Sequence, residues 1–120
     1  MDCGVFMADW VVQVCGRDPI ADVRGTYSSE NEFDEILNRE GGFIRSCSSR
    51  LYASGFRRTK NPNGGDISIV MAPSIIDGNK VFRPTGSICV SCDMRAVVTS
   101  DRGLVISPDL QTLKAWKFYA

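Results

Sequence analysis

Hydrophobic residues recur with the period of an amphipathic helix in the first part of the chain and alternate as in β-strands in the second part. The first helical stretch covers residues 3–15, and four of its apolar residues share one face: Val5, Phe6, Trp10 and Val14. Gly16 follows as a terminating residue, and Pro19 prevents the helix from continuing. The pattern therefore predicts a helix over residues 3–15 with Trp10 in the core, and an irregular segment over residues 17–27.

Two more helices are predicted before the pattern changes. Ser28 or Ser29 caps the second helix, and Glu32, three residues after Ser29, completes a capping box. Three residues form the buried stripe of this helix: Phe33, Ile36 and Leu37. Two glycines at positions 41–42 end it. The third helix ends near Gly55, and three residues share its apolar face: Ile44, Cys47 and Leu51.

A basic segment separates the helical part from the strands. Residues 56–65 contain Arg57, Arg58 and Lys60, followed by the turn sequence Pro-Asn-Gly-Gly. This segment is predicted to be an exposed loop whose charges keep it in solvent. A contact with a partner is the alternative interpretation.

Short β-rich runs follow this loop and predict an antiparallel meander. Four strands are expected, over residues 66–72, 87–92, 95–100 and 104–107. Pro73 ends the first of them, and close turns at residues 93–94 and 101–103 join the later ones. Asp109 is expected to cap a helical turn before a last strand over residues 113–118.

Helices followed by strands predict an α+β fold, with N-terminal helices packed on one face of a mostly antiparallel β-meander. The 120 residues contain no internal repeat and no linker, so one domain over residues 1–120 is expected. Fourteen basic residues balance fourteen acidic ones, which argues against nucleic-acid binding and suits a subunit present in several copies in a larger assembly. No run approaches the roughly eighteen apolar residues of a membrane-spanning helix, so no membrane span is predicted.

The five cysteines predict reduced thiols in a protein made in the cytoplasm, because an odd number of scattered cysteines is not a disulfide framework. Cys89 and Cys92 invite a metal or redox interpretation. Residues three apart on one strand point to opposite faces, however, and the chain offers neither a second such pair nor a histidine to complete a zinc site. We therefore expect no metal and no cofactor, and we interpret the pair as two small residues of the meander.

Other conspicuous side chains have structural interpretations. Trp116 and Tyr119 fit either the core or a contact surface, and the core is favoured. Asp22 and Arg24 are predicted to form a local salt bridge that braces the loop after the first helix.

The start of the chain resembles a known family. Asp2-Cys3 opens an apolar helix, and helices are followed by a meander that begins at Gly65-Asp66, as in the NlpC-type papain-fold cysteine peptidases. More narrowly, the chain resembles a small NlpC-like family of tailed phages and prophages, usually of unknown function and found among tail genes. The matching motifs are Asp2-Cys3, Ala8-Asp9-Trp10-Val11, Gly16-Arg17-Asp18-Pro19, Ala21-Asp22, Arg24-Gly25-Thr26-Tyr27, Gly41-Gly42, Gly65-Asp66 and Ala115-Trp116-Lys117.

The resemblance implies a catalytic machinery that this sequence has partly lost. Cys3 takes the position of the nucleophile at a helix N-terminus, where the helix dipole favours the thiolate. In active relatives a histidine follows a glycine and opens a strand, and here Ser87 takes that position after Gly86. The residue that orients the histidine would fall at Thr99. A serine hydroxyl has no useful basicity near neutral pH, so Ser87 cannot replace the base.

The resulting prediction is a phage tail-associated structural or assembly protein of the tail tip or hub region, built on a catalytically degenerate NlpC-like fold. Its expected partners are other phage tail proteins, and its expected location is the virion tail after synthesis in the host cytoplasm. The alternative is a cysteine peptidase or amidase that cuts cell-wall peptidoglycan with Cys3 as nucleophile. Relatives usually carry a lead-in, often with Trp-Gly, before the Asp-Cys pair, and without it one wall of a substrate groove would be missing.

Overall fold

Three helices precede six strands in the computed structural model, which describes residues 3–99, 102–108 and 110–119. The helices are α1 (Cys3–Cys15), α2 (Glu30–Arg39) and α3 (Phe43–Ala53). The strands are β1 (Phe56–Arg58), β2 (Ile67–Ile76), β3 (Asn79–Cys89), β4 (Met94–Thr99), β5 (Gly103–Pro108) and β6 (Thr112–Phe118). The predicted α+β class is confirmed.

The three predicted helices are confirmed, together with their termination signals. Gly16 ends α1 with a positive φ of 75°, and its N–H donates to the Val12 carbonyl at 2.8 Å. At the start of α2 the Ser29 hydroxyl accepts a hydrogen bond from the Glu32 N–H at 3.2 Å. The Glu32 carboxylate reaches back one residue further than a standard capping box, and accepts the Ser28 N–H at 2.9 Å.

The six strands form one antiparallel sheet in the order β1-β6-β2-β3-β4-β5. The predicted meander is confirmed for β3, β4 and β5. The predicted last strand is also confirmed, but it lies between β1 and β2 instead of following β5 in the sheet. Residue 109, expected to cap a helical turn, lies outside the described residues.

The prediction that Pro73 ends the first long strand is wrong. β2 continues through Pro73 to Ile76 and turns into β3 through Asp77 and Gly78, whose φ angles of 51° and 78° suit a two-residue hairpin turn. The Met71 N–H points toward β6 and donates to the Gln111 carbonyl at 2.9 Å. Pro73 has the same orientation, two residues beyond, where β6 no longer pairs with β2. Its missing N–H therefore leaves no gap in the ladder.

The prediction of an exposed loop from residue 56 is also wrong in part. Phe56, Arg57 and Arg58 form the edge strand β1, which pairs with β6 from Phe56 opposite Phe118. Phe56 is only 1% exposed, so burial of its ring fixes this segment to the sheet, while both arginines remain exposed.

The helices cover one face of the sheet. Its buried cluster draws residues from α1, α3, β1, β2 and β6: Met7, Val11, Cys47, Leu51, Phe56, Ile67, Ile69 and Trp116. Trp116 is thus in the core, as predicted, whereas the same prediction for Tyr119 is wrong, since Tyr119 is 57% exposed. The prediction of Trp10 in the core is also wrong, because the buried face of α1 carries Met7 and Val11 instead. Trp10 is half-buried against this cluster, and its indole N–H donates to the Gly65 carbonyl at 2.7 Å. A second cluster of Val70, Ala72 and Val97 lies on the opposite face of the sheet, where Val105 and Leu110 pack against it.

The predicted salt bridge between Asp22 and Arg24 is wrong. Arg24 pairs with Asp18 at 2.7 Å and with Asp9 of α1 at 2.9 Å. Asp22 pairs with Arg50 of α3 at 2.6 Å. Asp22 and Arg24 are thus paired with residues of α3 and α1 instead of with each other, because the loop folds back over these helices.

Candidate functional site

Cys3, the predicted nucleophile position, is the first residue of α1 and is half-buried. The N–H groups of a first helical turn and the helix dipole favour a thiolate there. The turn that carries Cys3 rests on β3 at Gly86. A Cβ added to Gly86 would lie 3.4 Å from the Cys3 carbonyl oxygen and 3.1 Å from the Met7 Sδ. The absence of a side chain at Gly86 therefore lets α1 approach the sheet this closely.

Ser87, the predicted position of the lost histidine, lies on the other face of the sheet from Cys3. Successive residues of a strand point to opposite faces, and Gly86 faces α1. The register agrees, since Ser87 lies opposite Val97, a member of the second cluster. Its hydroxyl is fully buried, 2.5 Å from the Ser68 hydroxyl, and it donates to the Ser68 carbonyl at 3.1 Å. The structure therefore does not bring Ser87 and Cys3 together.

Thr99, the predicted orienting position, lies at the end of β4. Its hydroxyl accepts a hydrogen bond from the Arg102 N–H at 3.2 Å, within the turn to β5. Thr99 is two residues beyond Val97, so it lies on the face of Ser87 and not on that of Cys3. In the structure this hydroxyl therefore links the end of β4 to the residue that precedes β5.

The two cysteines of the Cys-x-x-Cys pair have different environments. Cys89 is buried in β3 with its thiol 3.7 Å from the Ser68 hydroxyl, and burial raises the pKa of this thiol. Cys92 is exposed in the turn that follows, and none of the five cysteines forms a disulfide. Across the described residues, no three side chains of the metal-binding types come together. Cys47 is a buried thiol under α3, where desolvation raises its pKa to about 12.

An open groove of about 600 Å³ runs along the outer side of α1. Phe6, Trp10 and Ile88 give it an apolar lining. At its polar end Arg24 is bound by both Asp9 and Asp18. The hydrogen bond from Arg24 lowers the pKa of Asp18, so this carboxyl is ionised near neutral pH. The groove can accept an apolar or extended segment.

Large apolar side chains are exposed at two places on the sheet. The β2–β3 hairpin exposes Ile75, Ile76 and Phe82, and the edge strand β5 exposes Leu104 and Ile106. Neither surface could be predicted from the sequence, because alternating apolar residues in a strand normally indicate a buried face. Exposed apolar patches on a folded chain mark contact surfaces.

The helices and the sheet together correspond to one family. A family model described as a domain of unknown function (DUF6950) matches residues 1–118. No curated protein and no solved structure matches the chain. Among the described helices, none combines the length and the apolar character needed to cross a membrane.

Proposed function

The chain belongs to the family described as a domain of unknown function (DUF6950), and we propose from its own residues that it is a tail-associated structural or assembly protein of a tailed phage. It acts in the tail tip or hub region by contacts with other tail proteins, on a catalytically degenerate NlpC-like scaffold. Its place is the virion tail, after synthesis in the host cytoplasm.

The absence of a histidine that could act as general base is the observation that supports this proposal most strongly. The chain contains no histidine, so the imidazole that would take the proton of Cys3 does not exist. Ser87, at the position inferred for it, has its hydroxyl buried against Ser68 on the opposite face of the sheet. General acid–base help is worth about a hundredfold to ten-thousandfold in rate. A scaffold that lacks a general base is better suited to binding than to hydrolysis.

The surfaces support the same proposal. The groove beside α1 is apolar over most of its lining, and two patches of the sheet expose large apolar side chains. A protein that acts by contacts needs such surfaces, whereas a hydrolase needs a cleft with a nucleophile and a base.

Deletion of the gene from a phage that carries it tests the proposal. We expect particles with missing or defective tails, and restoration by the wild-type protein and equally by Cys3→Ala. The matched control is Cys92→Ala, which removes an exposed thiol in a turn. Normal tails after deletion would contradict the proposal. So would a Cys3→Ala protein that folds but does not restore tail assembly while Cys92→Ala does.

A cysteine peptidase or amidase acting on peptidoglycan is the second candidate, and the position of Cys3 at the first residue of α1 favours it. Purified peptidoglycan is incubated with the wild type and with Cys3→Ala, and soluble fragments are measured. Release by the wild type alone would support this candidate. Equal background release from both would exclude it.

A further inference from the structure

The two edges of the sheet are protected to different degrees. β1, at one edge, has only three residues, and its two arginines are exposed. Short length and charged side chains are common ways to stop an edge strand from pairing with another chain. β5, at the other edge, has six residues, Gly-Leu-Val-Ile-Ser-Pro, and no charge. Of the two terminal strands of the sheet, β1 is therefore protected and β5 is open.

The side chains of β5 fit a strand that is paired on both edges. Val105 points inward and packs against the cluster that contains Val97. Leu104 and Ile106 lie on the face of the sheet that the helices cover, and they are 61% and 55% exposed. Every second N–H and C=O of an edge strand points away from the sheet. Within the described residues, no backbone hydrogen bond outside the sheet ladder involves β5.

We infer that β5 pairs antiparallel with β5 of a second copy of this chain, so that two sheets join across a two-fold axis. Directly opposite residues of an antiparallel pair share a face. Leu104 and Ile106 are on one face and Val105 on the other. The register centred on Val105 satisfies this condition, because it places Leu104 opposite Ile106 of the second copy, twice by symmetry.

A second copy suits this edge because the strand is complementary to itself. In the register centred on Val105, apolar residues meet apolar residues on the helix-side face of the sheet. Arg102, the charged residue that precedes β5, comes opposite Pro108 of the second copy and not opposite another arginine. The formal net charge of zero adds no long-range repulsion between copies. Self-association is a property of the purified chain, so this inference goes beyond the proposed function and does not depend on it.

Sedimentation of the purified protein over a concentration series tests the inference. We expect a monomer–dimer equilibrium for the wild type. Leu104→Lys/Ile106→Lys places lysine opposite lysine twice and should weaken dimerisation at least about tenfold. Leu104→Lys/Ile106→Glu changes the same two positions but places lysine opposite glutamate, and it should dimerise at least about tenfold more tightly than the double-lysine variant.

Tyr119→Lys is the matched control, since Tyr119 is 57% exposed but follows β6, at the other side of the sheet from β5. It should leave the dimer intact. Hydrogen exchange gives a second readout, in which β5 amides become more protected as the concentration rises. A wild type that stays monomeric overturns the inference, and so does a double-lysine variant that dimerises like the wild type. Loss of the dimer in Tyr119→Lys, or equal dimerisation of the two charged variants, would also overturn it.

Discussion

Both faces of the sheet contain buried side chains, but different interactions stabilise the two faces. The face toward the helices is filled by large apolar side chains such as Trp116, and Gly86 lets α1 come close. The opposite face contains small polar groups, and Ser68, Ser87 and Cys89 are each at most 1% exposed there. The first face therefore depends mainly on the packing of large side chains, whereas the second combines a small apolar cluster with hydrogen bonds between small polar residues.

Arg95 is a buried charged residue on the face of the sheet opposite the helices. It lies opposite Cys89 on the second face and is 5% exposed. Its guanidinium donates to the carbonyls of Ser91, Cys92 and Met94 in the β3–β4 turn and to the Thr112 hydroxyl. Its Nε has no hydrogen-bond partner among the described residues. Arg95 thus ties the β3–β4 turn to this face of the sheet by hydrogen bonds.

Removal of Trp116 should have the largest effect, because it tests packing on the helix face. Trp116→Ala is expected to lower the free energy of unfolding by about 3–5 kcal/mol, since a fully buried ring leaves a cavity. Urea denaturation followed by circular dichroism measures the change. Tyr119→Ala is the matched control, because Tyr119 is 57% exposed, and it should change stability by less than about 0.5 kcal/mol. Equal effects would contradict a core on this face.

A side chain at Gly86 should have the next largest effect, because it tests the contact between α1 and β3. Gly86→Leu is expected to cost about 1–3 kcal/mol by overpacking against Met7 and the Cys3 carbonyl. Gly86→Ala should cost less, since the nearest atoms belong to the flexible end of Met7. Gly86→Leu should cost less when it is introduced into a Met7→Ala protein than into the wild type, because the nearest side chain is then shorter. An equal cost in the two proteins would show that the Met7 turn of α1 does not rest on Gly86.

Loss of the hydrogen bond between Ser68 and Ser87 tests the face of the sheet opposite the helices, and it should have a smaller effect. Ser87→Ala is expected to cost about 1 kcal/mol, because it leaves the buried Ser68 hydroxyl without its closest partner. Ser68→Ala/Ser87→Ala should cost less than the sum of the single changes. Ser49→Ala, at an exposed position of α3, serves as the control. Strictly additive effects would show that the two hydroxyls do not interact.

The ion pairs of Arg50 lie outside both faces of the sheet. The pH dependence of stability that they cause should be the smallest of these effects. Hydrogen bonds from Arg50 lower the pKa of Asp22 and of Glu40. Their stabilisation is complete above the pKa values of the unfolded chain and is lost as the pH falls through the lower folded values. Both carboxylates are partly exposed, so the pH-dependent part is about 1 kcal/mol or less.

Thermal unfolding of the wild type and of Arg50→Gln between neutral and acidic pH measures this contribution. The difference in stability between the two proteins should shrink as the pH falls. Arg39→Gln, an arginine of the last turn of α2, is the control. A difference between wild type and Arg50→Gln that grows toward acidic pH would contradict the assignment.

The helices could be predicted because their signals are local. Gly16 and Ser29 mark helix ends by backbone and capping chemistry that a few neighbouring residues decide. The β2–β3 hairpin and β1 could not be predicted, because their formation depends on neighbours in space. Pro73 is tolerated only where β6 has stopped pairing, and the segment at Phe56 forms a strand only because β6 returns beside it.

The candidate site shows the same limit. Local pattern correctly placed Cys3 at the start of a helix and Ser87 in a strand. Which face Ser87 occupies depends on which residue of β3 meets α1, and that residue is Gly86. The ion pairs of Asp22 and Arg24 likewise depend on how the loop folds back over α1 and α3. Sequence spacing alone contains neither piece of information.

The position of β6 in the middle of the sheet has a consequence for synthesis on the ribosome. β1 pairs only with β6, and Phe56 lies opposite Phe118 across most of the second half of the chain. Until residues 112–118 leave the exit tunnel, β1 has no strand to join, and one edge of β2 is unpaired beneath the helices. The nascent chain therefore completes its sheet only after translation of its last strand, and such late, long-range pairing makes folding slow.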